Sequence, residues 1–124
     1  MILRIKGAFR AGNGRLYVGF DSNDGGTRSF VIATNTGDIR FQEHIGYDYT
    51  ELTIEPTTFV LDAWYTFEIW VLDEFTVEGT VTDLSTGREV SSVSQVYRDP
   101  HVGGGIALRS FGGFYIDQMS IECP

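Results

Sequence analysis

Carboxylates are the most numerous side chains with catalytic potential in this chain of 124 residues, which has 17 aspartates and glutamates. A glycoside hydrolase needs two of them about 5–9.5 Å apart, a spacing that positions i and i+2 of a strand provide, at about 6.6 Å. No two acidic residues stand two positions apart, and Glu74 and Glu78 would be separated by about 13 Å along a strand. The sequence therefore predicts no catalytic pair within one strand and leaves open a pair formed across strands.

The remaining reactive side chains form no recognisable catalytic site. The single cysteine, Cys123, stands next to the last residue, where a fraying chain end holds a nucleophile poorly. His44 and His101 fall in expected loops, and their separation is not a metal-ligand spacing. We therefore predict that the protein is not an enzyme and has no cofactor other than a structural ion.

A loop rich in oxygen donors, residues 21–25, has the chemistry that calcium prefers. Asp21, Asn23 and Asp24 would supply the hard oxygen ligands, but their spacing is one residue away from the Asp-x-Asn-x-Asp-Gly pattern of calcium loops. The same residue types also form a turn without any ion, because Asx side chains and glycine accept a positive φ. We expect at most one calcium, weakly bound and structural.

Strands must position these side chains, because apolar and polar residues alternate with period two along most of the chain. Glycine and Asx clusters interrupt the alternation often enough to predict about ten strands in two packed antiparallel sheets. Only residues 57–63 could form a helical turn. The clearest strand is 64–72, and the residues expected in the core on it and on the next strand are Tyr65, Phe67, Ile69, Val71, Phe75, Val77 and Val81.

Aromatic side chains beside polar ones point to sugar binding, since a pyranose stacks its apolar face on an aromatic ring and its hydroxyls bond to polar groups. Thr66, Glu68 and Trp70 share the face of the 64–72 strand opposite its core residues. Further candidates are outward-facing residues and a loop pair, namely Tyr17, Arg109, Tyr47 and Tyr49. We expect Trp64 to cover the edge of the core, whereas for Trp70 that role and sugar contact both stay open.

The net charge of −8 limits the classes of partner. No basic cluster offsets it, so a nucleic-acid backbone or an anionic membrane surface would be repelled. The longest unbroken apolar run, residues 69–72, is far too short to cross a membrane. A neutral sugar remains compatible with this charge, and the length predicts a single domain over residues 1–124.

Three segments resemble the closing part of concanavalin-A-like jelly-roll domains, the class that includes laminin-G-like and lectin-like modules. They are WYTFEI at 64–69, GIALRS at 105–110 and FYIDQMSI at 114–121. The resemblance implies a two-sheet antiparallel jelly-roll β-sandwich with one concave face. It also implies that Asp117 matches an aspartate that helps to hold a structural calcium in some sugar-binding relatives, although Asp117 could equally accept backbone hydrogen bonds.

The resemblance and the aromatic candidates together predict a non-catalytic, lectin-like module that binds a neutral poly- or oligosaccharide. A structural or adhesion module that binds protein, as laminin-G-like domains do, is the first alternative. A cryptic glycoside hydrolase is the second. We expect the domain to belong to a larger secreted or cell-surface protein, with that protein's other domains as further partners.

Overall fold

The computed structural model describes residues 1–22, 26–45, 48–100 and 103–123, and the described part contains ten strands and no helix. The strands are β1 (Leu3–Arg10), β2 (Arg15–Ser22), β3 (Thr27–Ala33), β4 (Asp38–Ile45), β5 (Asp48–Pro56), β6 (Trp64–Val71), β7 (Thr76–Asp83), β8 (Glu89–Val96), β9 (Gly105–Phe111) and β10 (Tyr115–Glu122). Residues 57–63 form an irregular connection with a turn at 61–62 rather than the helical turn considered above.

The strands form two five-stranded sheets in which the paired strands run antiparallel. Sheet A has the order β10-β1-β6-β7-β8, and sheet B has the order β5-β4-β3-β2-β9. Side chains alternate between a face turned to the other sheet and an outer face, as strand geometry requires. The predicted all-β sandwich of two antiparallel sheets is therefore confirmed.

Aromatic side chains dominate the core between the sheets. The rings of Phe9, Phe20, Phe30, Phe41 and Phe67 are all buried to 1% exposure or less. Tyr65, Phe67, Ile69 and Val71 lie on the inner face of β6, and Val77 and Val81 lie on that of β7, as the alternation predicts. The two sheets interlock, because a Cβ at Gly79 of β7 would collide with the ring of Phe30 from β3.

Two aromatic residues differ from their predicted positions. Phe75 is 39% exposed, because β7 begins one residue later and Phe75 falls in the turn before it. Trp64 is 37% exposed rather than covering the core edge. Its neighbour Tyr65 takes the inward position on β6, so the alternation turns Trp64 to the outer face of sheet A.

Only one lateral side of the sandwich is joined by cross-sheet hydrogen bonds in the described residues. There β5 lies beside β8, and the Thr53 amide donates to Oε1 of Gln95 at 2.9 Å. The hydroxyl of Thr57 donates to that of Ser91 at 2.7 Å. No helix within the described ranges has the length and apolar character needed to cross a membrane.

We predict that Phe67→Ala lowers the free energy of unfolding by roughly 3–5 kcal/mol, because it removes a fully buried ring and leaves a cavity. Phe111→Ala is the matched control, since Phe111 is half exposed on the edge strand β9. Urea unfolding followed by fluorescence measures both variants. Equal losses for the two variants would contradict the assignment of the inner face.

Candidate functional site

The residues predicted to bind ligand lie on opposite sides of the sandwich. Tyr17, Tyr49 and Arg109 belong to sheet B, and their positions around one cleft place them on its outer face. Trp70, Glu68 and Thr66 belong to the outer face of sheet A, as their alternation with the buried residues of β6 predicts. Tyr47 lies outside the described residues. The core separates the two groups, so they cannot form one binding site.

A row of small residues across sheet B forms the floor of this cleft. Gly19 of β2 pairs with Ala107 of β9 on one side and with Ser29 of β3 on the other. Larger side chains stand in the neighbouring rows, where Tyr17 pairs with Arg109 and His44 pairs with Tyr49. The result is a cavity of about 140 Å³, here called the groove, lined by Tyr17, Gly19, Thr27, Ser29, Gln42, His44, Tyr49, Ala107, Leu108 and Arg109.

Two stacked pairs form the walls of the groove. The guanidinium of Arg109 lies 4.4 Å from the centre of the Tyr17 ring, within the range of a cation–π contact. The rings of His44 and Tyr49 are parallel within 6°, with their centres 4.3 Å apart. Each ring therefore has one face covered by its partner, and Tyr49 remains 52% exposed.

Arg109 also interacts with Tyr49, although they belong to the two edge strands of the sheet. A hydrogen bond to the Tyr49 side chain is the main cause that raises the pKa of Arg109, with a second bond to Tyr17 acting in the same direction. Four strand spacings separate β9 from β5, roughly 19 Å on a flat sheet. Both side chains nevertheless line the same groove.

An ionic network with the buried pair Asp38–Arg40 at its centre supports the groove from the side of β4 and β5. Arg40 donates two hydrogen bonds to Asp38, of 2.7 and 2.6 Å, and pairs with Glu51 at 3.1 Å. Glu51 also accepts from Gln42, a groove residue, and lies 3.8 Å from Arg15. The hydrogen bonds to Asp38 raise the pKa of Arg40. Burial would raise the pKa of Asp38, but the hydrogen bonds from Arg40 and Thr36 outweigh it and hold that pKa below its ordinary value.

On the outer face of sheet A, Trp70 and Glu68 are already engaged by Arg4. The guanidinium of Arg4 lies 4.3 Å from the centre of the Trp70 ring and 3.1 Å from a carboxylate oxygen of Glu68. The hydrogen bond to Glu68 raises the pKa of Arg4. Thr66 and Glu68 also border a second depression, next to Lys6 and Gln118. Sugar binding by Trp70, Glu68 and Thr66 stays a prediction.

The calcium candidates are not brought together in the described residues. Asp21 lies on sheet B, buried, with a carboxylate oxygen 3.6 Å from Arg28. Asp117 lies on sheet A, and its carboxylate accepts the backbone N–H of Gln118 at 2.9 Å. Asn23 and Asp24 lie outside the described part of the chain. Within that part no three His, Cys, Asp or Glu side chains are grouped closely enough to hold a metal ion, and a weak structural calcium stays a prediction.

Several groove residues were missed by the sequence reasoning. His44 was expected in a loop, but it lies in β4, two positions after Gln42 and on the same face. The alternation of Ile39 and Phe41 with Arg40 and Gln42 was the signal that could have placed His44 outward. No such signal existed for Gly19, Ser29 and Ala107, because their pairing depends on strand order. His101 lies outside the described residues.

Comparisons with known proteins give structural relatives only. No family model matches the sequence, and no curated protein sequence matches it. The carbohydrate-binding module CBM66 from Bacillus subtilis superposes with a TM-score of 0.77 at 9% identity, over 98% of this chain and 74% of that one. The fold is a jelly-roll β-sandwich. This confirms the fold that the resemblance implied.

Two galectins share this jelly roll. Galectin LEC-6 from Caenorhabditis elegans has a TM-score of 0.72 at 14% identity, over 98% of this chain and 82% of that one. Chicken galectin 2 has a TM-score of 0.65 at 12% identity, over 97% of this chain and 89% of that one. At these identities the likeness concerns the fold, and the function must be argued from the groove itself.

We predict that Asp38→Asn reduces the loss of stability on acidification. The depressed pKa of Asp38 means that its ion pair stabilises the fold above the ordinary pKa of 3.8 and that this contribution is lost as the pH falls through the lower, folded-state value. Free energies of unfolding measured at intervals from pH 7 to about pH 2 should therefore fall more steeply in the unmodified protein than in the variant.

The exposed Glu55 of the neighbouring strand provides the control for this experiment. Glu55→Gln should leave the pH dependence of stability close to that of the unmodified protein. If Asp38→Asn were to follow the same curve as Glu55→Gln, the Asp38–Arg40 pair would not contribute to stability.

Proposed function

We propose that the protein is a carbohydrate-binding module whose groove holds one sugar unit of a larger saccharide. The observation that carries this proposal is the arrangement of stacked aromatic walls, Tyr17 with Arg109 and His44 with Tyr49, on either side of a floor of small residues. The structural likeness to a carbohydrate-binding module and to galectins supports it. Location outside the cell or at its surface, within a larger protein, stays a prediction.

The groove offers the two kinds of contact that a sugar ring requires. The partly exposed ring of Tyr49 presents an aromatic edge and face to the apolar side of a pyranose. Ser29, Thr27 and Gln42 line the floor with hydroxyl and amide groups, and Arg109 adds guanidinium donors. A few such contacts, after the loss of translational and rotational freedom, are consistent with dissociation constants on the order of micromolar to millimolar.

The composition of the groove favours binding over hydrolysis. None of its lining residues is an aspartate or a glutamate. The nearest carboxylate of the supporting network, Glu51, is paired with Arg40 and accepts from Gln42, so both of its oxygens are engaged within the protein. Glycoside hydrolysis needs a carboxylic acid and a carboxylate on either side of the scissile bond. We therefore propose a role without catalysis.

A glycan array followed by calorimetry on the strongest glycan tests the proposal, and we expect Tyr49→Ala to weaken that binding about three- to tenfold, the value of one aromatic stacking contact. Tyr115→Ala is the matched control, because Tyr115 is also exposed and contacts an arginine, Arg10, but belongs to sheet A. It should leave the affinity unchanged.

Trp70→Ala decides between the two faces of the sandwich. Loss of affinity in Trp70→Ala with none in Tyr49→Ala would move the site to the outer face of sheet A. Absence of binding to any glycan would overturn the proposal and favour a protein-binding adhesion role.

A larger side chain inside the groove should also weaken sugar binding. Ala107 is exposed on the edge strand β9 and lines the groove, so Ala107→Leu would place a larger side chain in the space that the sugar occupies. We expect at least a tenfold loss of affinity with little change in melting temperature. Ser110→Leu, on the same strand but turned to the other face, is the control and should bind as the unmodified protein does.

A further inference from the structure

We infer that the groove selects a saccharide that carries a carboxylate, such as a uronic or sialic acid unit, and that Arg109 is the residue that recognises it. The inference rests on the proposed function, because it names the class of sugar that the same groove takes. It differs from the neutral sugar that the net charge of the whole chain suggests.

Within the described residues, Arg109 has no acidic partner, whereas the other arginines on its face have one. Arg40 is paired with Asp38 and Glu51, and Arg15 lies 3.8 Å from Glu51. In the described part of the protein, no carboxylate oxygen lies within 4 Å of the Arg109 guanidinium, whose contacts are the ring of Tyr17 and the side chain of Tyr49. It is the cation of the groove lining, and neither tyrosine neutralises it.

Four of the acidic residues described on this sheet are paired with other arginines, whereas Asp48 and Glu55 of β5 have no ion pair in the described part of the chain. Glu51 is shared between Arg40 and Arg15, and Asp38 is bound to Arg40 through both of its oxygens. At the end of the sandwich near β3, Asp21 and Glu43 are both paired with Arg28. The groove lining itself contains Arg109 and no aspartate or glutamate, so its local charge differs from that of the chain.

The carboxylates of sheet A act only weakly on the groove. At physiological ionic strength the screening length is about 8 Å, whereas Glu68, Glu78 and Glu122 lie on sheet A, beyond the core. For an anion in the groove, contact with Arg109 therefore outweighs the repulsion from these distant carboxylates of sheet A. A ligand anion that reaches the groove meets a fixed guanidinium.

The planar guanidinium group of an arginine is well suited to bind a carboxylate. A guanidinium presents paired N–H donors that bind the two oxygens of a carboxylate together. The contacts with Tyr17 and Tyr49 hold this guanidinium in place, so little conformational freedom is lost when the acid binds. The sugar ring itself would use the hydroxyl and amide groups of Ser29 and Gln42.

The test compares acids with matched neutral compounds by calorimetry. Three pairs are compared. They are trigalacturonate with its methyl ester, 3′-sialyllactose with lactose, and the strongest acidic glycan of the array with its neutral counterpart. We expect the acid of at least one pair to bind about ten- to a hundredfold more tightly than its neutral partner, the effect of a hydrogen-bonded ion pair. Raising the salt concentration should weaken the binding of the acid and leave the binding of the neutral compound unchanged.

Arg109→Gln should abolish this difference while retaining the melting temperature, and Arg109→Lys should restore part of it, because lysine keeps the charge but not the paired donors. Arg10→Gln is the matched control, since Arg10 also stacks on a tyrosine but lies on sheet A. Equal affinity for acids and neutral partners, or a preference for acids that survives Arg109→Gln, would overturn the inference and leave the proposed function intact. Absence of any glycan binding would overturn both.

Discussion

The interlocking of aromatic rings between the two sheets determines where every other side chain of this protein points. Phe30 of sheet B occupies the space that Gly79 of sheet A leaves empty, and within sheet A the ring of Phe67 lies over Gly7 of the neighbouring strand β1. A slip of one residue in any of these strands would turn its core residues to the solvent and its outer residues inward. The rings therefore hold the register, and through it they hold Tyr17, Gln42 and His44 on the outer face of sheet B.

The groove follows from two further properties of sheet B. A row of small residues, Ala107, Gly19 and Ser29, lowers its floor, and a Cβ at Gly19 would already lie 2.9 Å from Thr27 and 3.3 Å from Ala107. The ionic network around Glu51 ties the edge strand β5 to β4 and β2, and β5 carries Tyr49. The ion pairs of Glu51 thus help to position Tyr49, which forms one wall of the groove on the same strand.

The outer faces of both sheets contain a cation–π contact, but its surroundings differ. An arginine lies over an aromatic ring on both, Arg4 on Trp70 in sheet A and Arg109 on Tyr17 in sheet B. On sheet A the arginine is also neutralised by Glu68 and Glu122, so its charge is satisfied within the protein. On sheet B, Arg109 borders the groove and has no carboxylate partner among the described residues.

The alternation of apolar and polar residues was enough to predict ten antiparallel strands, two sheets and the core faces of β6 and β7, because each of these depends on neighbours within a strand. The same local pattern correctly turned Tyr17 and Arg109 outward. It failed for Phe75, which falls in the turn before β7. For Trp64 the alternation was right, and the expectation that this residue covers the core edge was wrong. The sequence could not show that Tyr17, Tyr49 and Arg109 share a groove while Trp70 and Glu68 lie behind the core. That division depends on the order of strands in the two sheets, which arises from contacts between residues far apart in the chain.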